Sequence, residues 1–198
     1  MSSADLVNLL GRTLGFSFAA GINLYATVAI LGLATRYGWV DLPAQYRVFD
    51  NTWIIVGAIV LYLVEFIADK IPWLDSLWDA VHTVIRPLGG ALIAVASIGH
   101  AQPWVQALAA IAGAALATST HVAKAGTRAA ANTSPEPFSN WALSLAEDGF
   151  VLGLGLLALT HPVAAGLVVV VALGVIALAL RWLLRGIRSA VAAAPGRE

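Results

Sequence analysis

The chain has 198 residues, 60% hydrophobic and only 11% charged, and its 11 basic and 11 acidic side chains cancel. A soluble domain carries about 25% charged residues, so this composition excludes a water-facing fold, and the lack of net charge gives no field with which to hold nucleic acid. No cysteine is present, which excludes disulfides, thiolate catalysis and zinc–thiolate sites.

A membrane-spanning helix needs roughly 20 apolar residues. A short amphipathic piece, Leu6 to Arg12, leads into the first apolar stretch at 14–35. It has no basic leader and exceeds the ~7–15 apolar residues of a secretory signal core, so a retained helix is expected. A polar loop follows, Arg36 to Asn51, containing Pro43. Further apolar stretches lie at 52–68, 77–98, 104–124, 141–160 and 162–184, and the Ala-rich tail after Arg185 is expected to fray. The predicted fold is all-α: one polytopic transmembrane bundle of about six helices over residues 1–198, solvated by the lipid bilayer. The turns near Gly99 and His161 are short, which makes antiparallel hairpins of the helices they join.

Lys and Arg resist translocation and accumulate on the cytoplasmic side. With six spans and the amino terminus inside, Arg12, Lys70, Arg86, Lys124, Arg128, Arg181, Arg185, Arg188 and Arg197 fall inward and only Arg36 and Arg47 outward. The expected topology therefore has both termini cytoplasmic.

The informative feature is a set of ionisable residues recurring at helical spacing within apolar segments. Asp75, Asp79, His82 and Arg86 share one helix face, as do His121, Lys124, Arg128 and Asn132. Asn140, Ser144, Glu147 and Asp148 form a third stripe, while Glu65 and Asp69 end the second apolar segment. At ~1.5 Å per residue, Arg86 and Asp148 lie roughly 15 Å inside their helices, about mid-membrane. A charge there costs at least ~2.5–3.5 kcal/mol unless it pairs or lines water. We therefore expect Arg86 to face Glu147 or Asp148, and Glu65 to face Lys124 or Arg128. Glu65, Asp69, Asp75, Asp79, Glu147 and Asp148 against Lys70, Arg86, Lys124 and Arg128 leave six acids to four bases, a balance that favours a cation or a proton. His100 and His161 fall in outer turns and are expected to be solvated.

Arg86-Pro87-Leu88-Gly89-Gly90 places a helix breaker beside the deepest charge. Discontinuous helices with charges at the break mark transporter sites, so a break is expected at Pro87. A shift of 63 residues lays Asp69 to Trp78 over Asn132 to Trp141 with Pro, Ser and Trp coinciding, and Glu65 over Arg128. The spacing suits a weak internal repeat of a helix hairpin, parallel because two spans separate the junctions.

These residues also carry a resemblance. Gly21-Ile22-Asn23-Leu24-Tyr25-Ala26, Glu65-Phe66-Ile67-Ala68-Asp69-Lys70-Ile71-Pro72 with Asp75-Ser76, and the run His121, Lys124, Arg128, Asn132, Ser134-Pro135-Glu136-Pro137, Ser139-Asn140 and Glu147-Asp148 resemble a family of small bacterial integral membrane proteins of unknown function. The resemblance covers nearly the whole chain; it implies a bacterial inner-membrane location but no established activity.

GxSxG, HExxH, P-loop and GxGD motifs are all missing, which removes the standard serine, metallopeptidase and nucleotide-hydrolysing chemistries. Ser139 or Asn140 suits the cap of the helix that follows. Two functional readings follow. One is a small transporter or channel for a cation or a cation-coupled solute, with Glu65, Asp69, Asp79, Glu147 and Asp148 binding or relaying the cation and Arg86 and Lys124 holding the acids in register. It is expected to be a homodimer joined through the small residues Gly113, Ala117, Gly153 and Gly155. The other is a membrane-embedded enzyme acting on a lipid phosphate, with Asp75, Asp79, His82 and His121 holding a divalent metal ion and Lys124 and Arg128 the phosphate. A purely structural membrane protein is the plainest alternative.

Overall fold

A computed structural model describes residues 2–133 and 138–193, so Ser134-Pro135-Glu136-Pro137 and Arg197 lie outside the described residues. The described chain is helical: α1 (Ser3–Ile22), α2 (Leu24–Tyr37), a 3₁₀ turn (Ala44–Phe49), α3 (Thr52–Ala68), α4 (Pro72–Ile98), α5 (Pro103–Ala131), α6 (Phe138–Thr160) and α7 (Pro162–Ala193). Four helices, α4, α5, α6 and Pro162–Gly186 of α7, are long and apolar enough to cross a membrane, and α3 is a shorter apolar helix. Proline opens α4, α5 and α7, where its missing N–H is no loss. The helix is described as far as Ala193, and the rest of the tail expected to fray lies outside the described residues.

The bundle buries charged side chains beside an apolar core and turns a largely apolar surface outward. On α4, Asp75, Asp79, His82 and Arg86 are buried while Leu77, Val81, Val84, Leu88 and Leu92 are more than half exposed. Such a surface suits lipid, which asks nothing of polar side chains except that they be satisfied within the protein. Small residues let the backbones approach: a Cβ on Gly90 of α4 would lie 2.6 Å from the Gly113 carbonyl oxygen of α5, and one on Gly113 would lie 2.6 Å from the Ala94 methyl group.

The first apolar segment departs from its expected course. It is not one span but two helices folded back at Asn23, whose backbone is extended (φ −145°, ψ 99°). Beside the near end of α1, Arg12 donates to the Leu159 carbonyl at the far end of α6, and a Cβ on Gly15 would meet the Ala158 methyl group at 2.9 Å. At the fold, Asn23 donates to Asp148 in the middle of α6. Going on, a Cβ on Gly155 would lie 2.9 Å from Ile30 of α2, and Arg36 pairs with Asp50 ahead of α3. Both arms thus rise along α6 from the same level, and the segment is a re-entrant hairpin. Its tip lies about 15 Å from the Phe138 end of α6 and about 18 Å from the Thr160 end, at ~1.5 Å per residue.

Two expectations bear on this course. The expected topology has both termini on one side, and Ser3 of α1 and Ala193 of α7 lie at opposite ends of the bundle. The break expected at Pro87 falls at Asn23 instead, and α4 runs unbroken through Pro87. Asn is suited to the task because its side chain replaces the lost helical partner: Asn23 Oδ1 accepts from the Ala26 N–H and caps α2, while its own N–H still bonds the Ala19 carbonyl.

The small residues expected to join two copies are largely used within the chain. Gly113 and Ala117 pack on Gly90, Gly155 packs on Ile30, and only Gly153 faces open space.

Candidate functional site

The hairpin tip inserts between α4 and α6, touching Gly90 of α4 through Ser17 and Asp148 of α6 through Asn23. Around it α3, α4, α5 and α6 turn their charged stripes inward. Glu65, Asp69, Asp75, Asp79, His82, Arg86, His121, Lys124, Arg128 and Asp148 are all buried.

Three cations organise the cluster. Arg86, fully buried, donates to Glu65 Oε1 at 2.8 Å, to Asp79 Oδ1 at 3.1 Å and to His121 Nδ1 at 2.7 Å. A guanidinium has only donors, so His121 presents Nδ1 as an acceptor and carries its proton on Nε2, which faces the Thr83 hydroxyl at 3.1 Å. Lys124 gathers Glu65 (3.3 Å), Asp69 (3.2 Å) and Glu147 (3.4 Å) and also donates to the Ile22 carbonyl at 3.2 Å, the last of α1. A cation at the carbonyl end of a helix is favoured by its dipole. Arg128 joins Asp69 Oδ2 (2.7 Å), Glu147 Oε2 (3.1 Å) and Asn140 Oδ1 (2.8 Å), with Asp75 at 3.8 Å.

Glu65 thus meets Lys124, as its position implied, but Arg86 does not meet Glu147 or Asp148. The hairpin tip holds α6 away from α4, and α3 supplies Glu65 in its place. The carboxylate of Asp148 instead accepts from Asn23 Nδ2 at 3.2 Å.

The two chain junctions, between α3 and α4 and between α5 and α6, meet at one end of the bundle. Asn132 donates to the Pro72 carbonyl, to Asp75 Oδ2 at 2.9 Å and to Ser76, while Asn140 and Trp141 donate to the carbonyls of Asp69 and Lys70. Asn140 is therefore a bridge between the junctions, set in the first turn of α6. Lys70, in the connection between α3 and α4, donates to the Phe66 carbonyl and to Ser144, and burial lowers its pKa against the pull of Asp148.

The four residues expected to hold a metal do not converge. His82 donates from Nδ1 to the Trp78 carbonyl at 2.7 Å and accepts at Nε2 from the Tyr25 hydroxyl at 2.8 Å, while His121 faces Arg86 and Thr83. Among the described residues no three His, Asp or Glu side chains gather at metal-binding spacing.

Two clefts reach the cluster. One of about 230 Å³ between α4 and α5 is lined by Asp75, Asp79, Thr83 and Arg128. The other, about 250 Å³, touches Ile22 at the hairpin tip together with Thr120, Lys124, Thr127 and Glu147. A larger apolar cleft of about 1000 Å³ runs beside α2 and α4 from Gln45 and His100 to Leu24 and Gly89, and no charged residue lines it.

A family model described as a domain of unknown function, DUF4126, matches residues 10–182. The chain belongs to the DUF4126 family. The match runs from the first arm of the hairpin to the far part of α7 and so contains every residue of the charged cluster. No curated protein and no solved structure matches the chain.

Asn23, Tyr25 and Thr83 also belong to this arrangement, although the charged stripes do not point to them. A signal for Asn23 was present: a strong helix-capping residue in the middle of an apolar run, where an uncapped amide would be costly.

Proposed function

We propose that this DUF4126 protein is a small transporter or channel for a cation or a cation-coupled small solute. The observation that carries the reading is the break of an apolar segment at Asn23, about mid-membrane, against a buried network of charges. Two helix ends meet there: the carbonyl end of α1 receives Lys124, and the amide end of α2, capped by Asn23, faces Asp148. Transporters build substrate and ion sites from such discontinuous helices because their dipoles and freed backbone groups bind charge where lipid cannot. A purely structural role accounts for paired charges but gives no use for a helix interrupted among them.

The charge balance selects the cargo. Six carboxylates and four cations leave the cluster negative, and the clefts at Asp75 and Glu147 give a small cation a path to it. Lys70, Lys124, Arg128, Arg181, Arg185 and Arg188 sit toward the cluster end of the bundle, against Arg12, Arg36 and Arg47 at the other. The excess of basic residues supports a cytoplasmic cluster end, in a bacterial inner-membrane protein.

The test is electrical. Purified protein in proteoliposomes on a solid-supported membrane is exposed to jumps of Na⁺, K⁺ and H⁺, and a transient current is expected for at least one of them, reduced at least tenfold in Asp148→Asn. Absence of current with all three cations would defeat the reading.

A further inference from the structure

Asp148 differs from every other acid of the cluster. Glu65, Asp69, Asp75, Asp79 and Glu147 each have an Arg or Lys nitrogen within 4.0 Å, whereas Asp148 has no such partner among the described residues. It is 6% exposed, Oδ1 accepts from Asn23 Nδ2, and Oδ2 is buried with no hydrogen-bond partner.

The surrounding elements supply nothing that would neutralise it directly. From the hairpin comes the neutral amide of Asn23, and from α3 the carboxylates of Glu65 and Asp69 and the phenol of Tyr62. Lys124 of α5 is committed to Glu65, Asp69, Glu147 and the Ile22 carbonyl. The spanning part of α7, Pro162 to Leu180, carries no ionisable side chain. Lys70 is the remaining ammonium, held one helical turn away by Ser144 and lying 3.1 Å over the Phe66 ring. A bare carboxylate at this depth is costly enough that such groups take up a proton instead.

We propose that the coupling ion of the transport reading is a proton carried on Asp148 Oδ2, and that its loss releases the hairpin tip. The inference rests on that reading and names its ion. In the docked state the neutral carboxyl accepts from Asn23. Deprotonation breaks the O–H bond, sends the proton to water at the cluster end and leaves the electron pair on Oδ2. The new charge draws Lys70 off Ser144 and onto the carboxylate, where the ammonium displaces the Asn23 amide and frees the tip of α1 and α2 from α6.

Infrared difference spectra of the full chain in lipid test the first half. The carbonyl stretch of a protonated carboxyl is expected at mildly acidic pH, titrating away as the pH is raised, and absent from Asp148→Asn, which keeps an acceptor for Asn23. A spectrum without that band, or a band that survives in Asp148→Asn, overturns the proposal. Lys70→Met gives a second reading: without the ammonium the band persists to higher pH, and an unshifted titration counts against the proposal. Because the chain lacks cysteine, spin labels at Tyr37→Cys and Thr160→Cys report the hairpin alone. Their separation is expected to change across the same titration and to stay fixed in Asp148→Asn; a pH-independent separation in the parent chain refutes the coupling. Cation-jump currents with no titrating band would leave transport standing and remove the proton site. A titrating band with no current would remove transport and keep the protonation site.

Discussion

Arg86→Met is the sharpest energetic probe of the cluster. Arg86 is fully buried, and its partners Glu65 and Asp79 have side chains 0% and 7% exposed. Methionine fills much of the volume but removes the charge. Glu65 keeps Lys124 at 3.3 Å, whereas Asp79 loses the one cation within 4.0 Å of it among the described residues. Removing one member of a buried ion pair costs ~3–5 kcal/mol, because the other is left uncompensated. With Glu65 still paired the expected loss is at the low end, about 3 kcal/mol, roughly a hundredfold in the folding equilibrium. Unfolding by SDS in mixed micelles, followed by circular dichroism, measures it. Adding Asp79→Asn removes the stranded charge and is expected to recover at least about 1 kcal/mol in the double variant. A loss below about 1 kcal/mol for Arg86→Met, or no recovery in the double variant, would refute the reasoning.

Asn23→Ala removes both the cap of α2 and the donor to Asp148 and is expected to cost about 2 kcal/mol, whereas Asn23→Ser retains the cap and costs less; the same unfolding assay ranks them. Gly21→Val forces a side chain into the Thr120 hydroxyl and the Ala117 backbone, and a loss of ~1–3 kcal/mol is expected, incompletely relieved by Thr120→Ala because the backbone of Ala117 stays in place. Asn132→Ala strips donors from Asp75 and from the Pro72 carbonyl and is expected to cost ~1–3 kcal/mol. Faster proteolysis between α3 and α4 would accompany that loss, and unchanged cleavage would count against Asn132 as a clamp on this junction.

The charged stripes were legible because lipid permits no other reading. Asp75, Asp79, His82 and Arg86 recur at helical spacing in an apolar context, and a helix so patterned must turn that face inward. Which charges meet is only partly legible: Glu65 meets Lys124 as its position implies, but pairing also depends on which helices become neighbours. Arg86, expected to face the acids of α6, meets Glu65 of α3 because the hairpin stands between α4 and α6. Proline marks the expected helix break, but the break lies at asparagine. Pro87 lacks only a donor, and α4 accommodates that loss without interruption. Asn23 terminates one helix and starts another because its amide serves the backbone on one side and Asp148 on the other. Apolarity alone gave that first segment the look of a span, since hydropathy does not register a reversal of direction.

The re-entrant hairpin underlies both the site and its proposed use, and its direct test is the sidedness of the two chain ends. Single cysteines at Ser3→Cys and Arg188→Cys, each in the otherwise cysteine-free chain, are treated with a membrane-impermeant maleimide on intact cells and again after permeabilisation. With a hairpin that turns back at Asn23, the position in α1 is labelled on intact cells and the position in α7 only after permeabilisation. Labelling of both positions from the same side would mean that the first segment crosses the membrane, contradicting the hairpin and the site built on its tip.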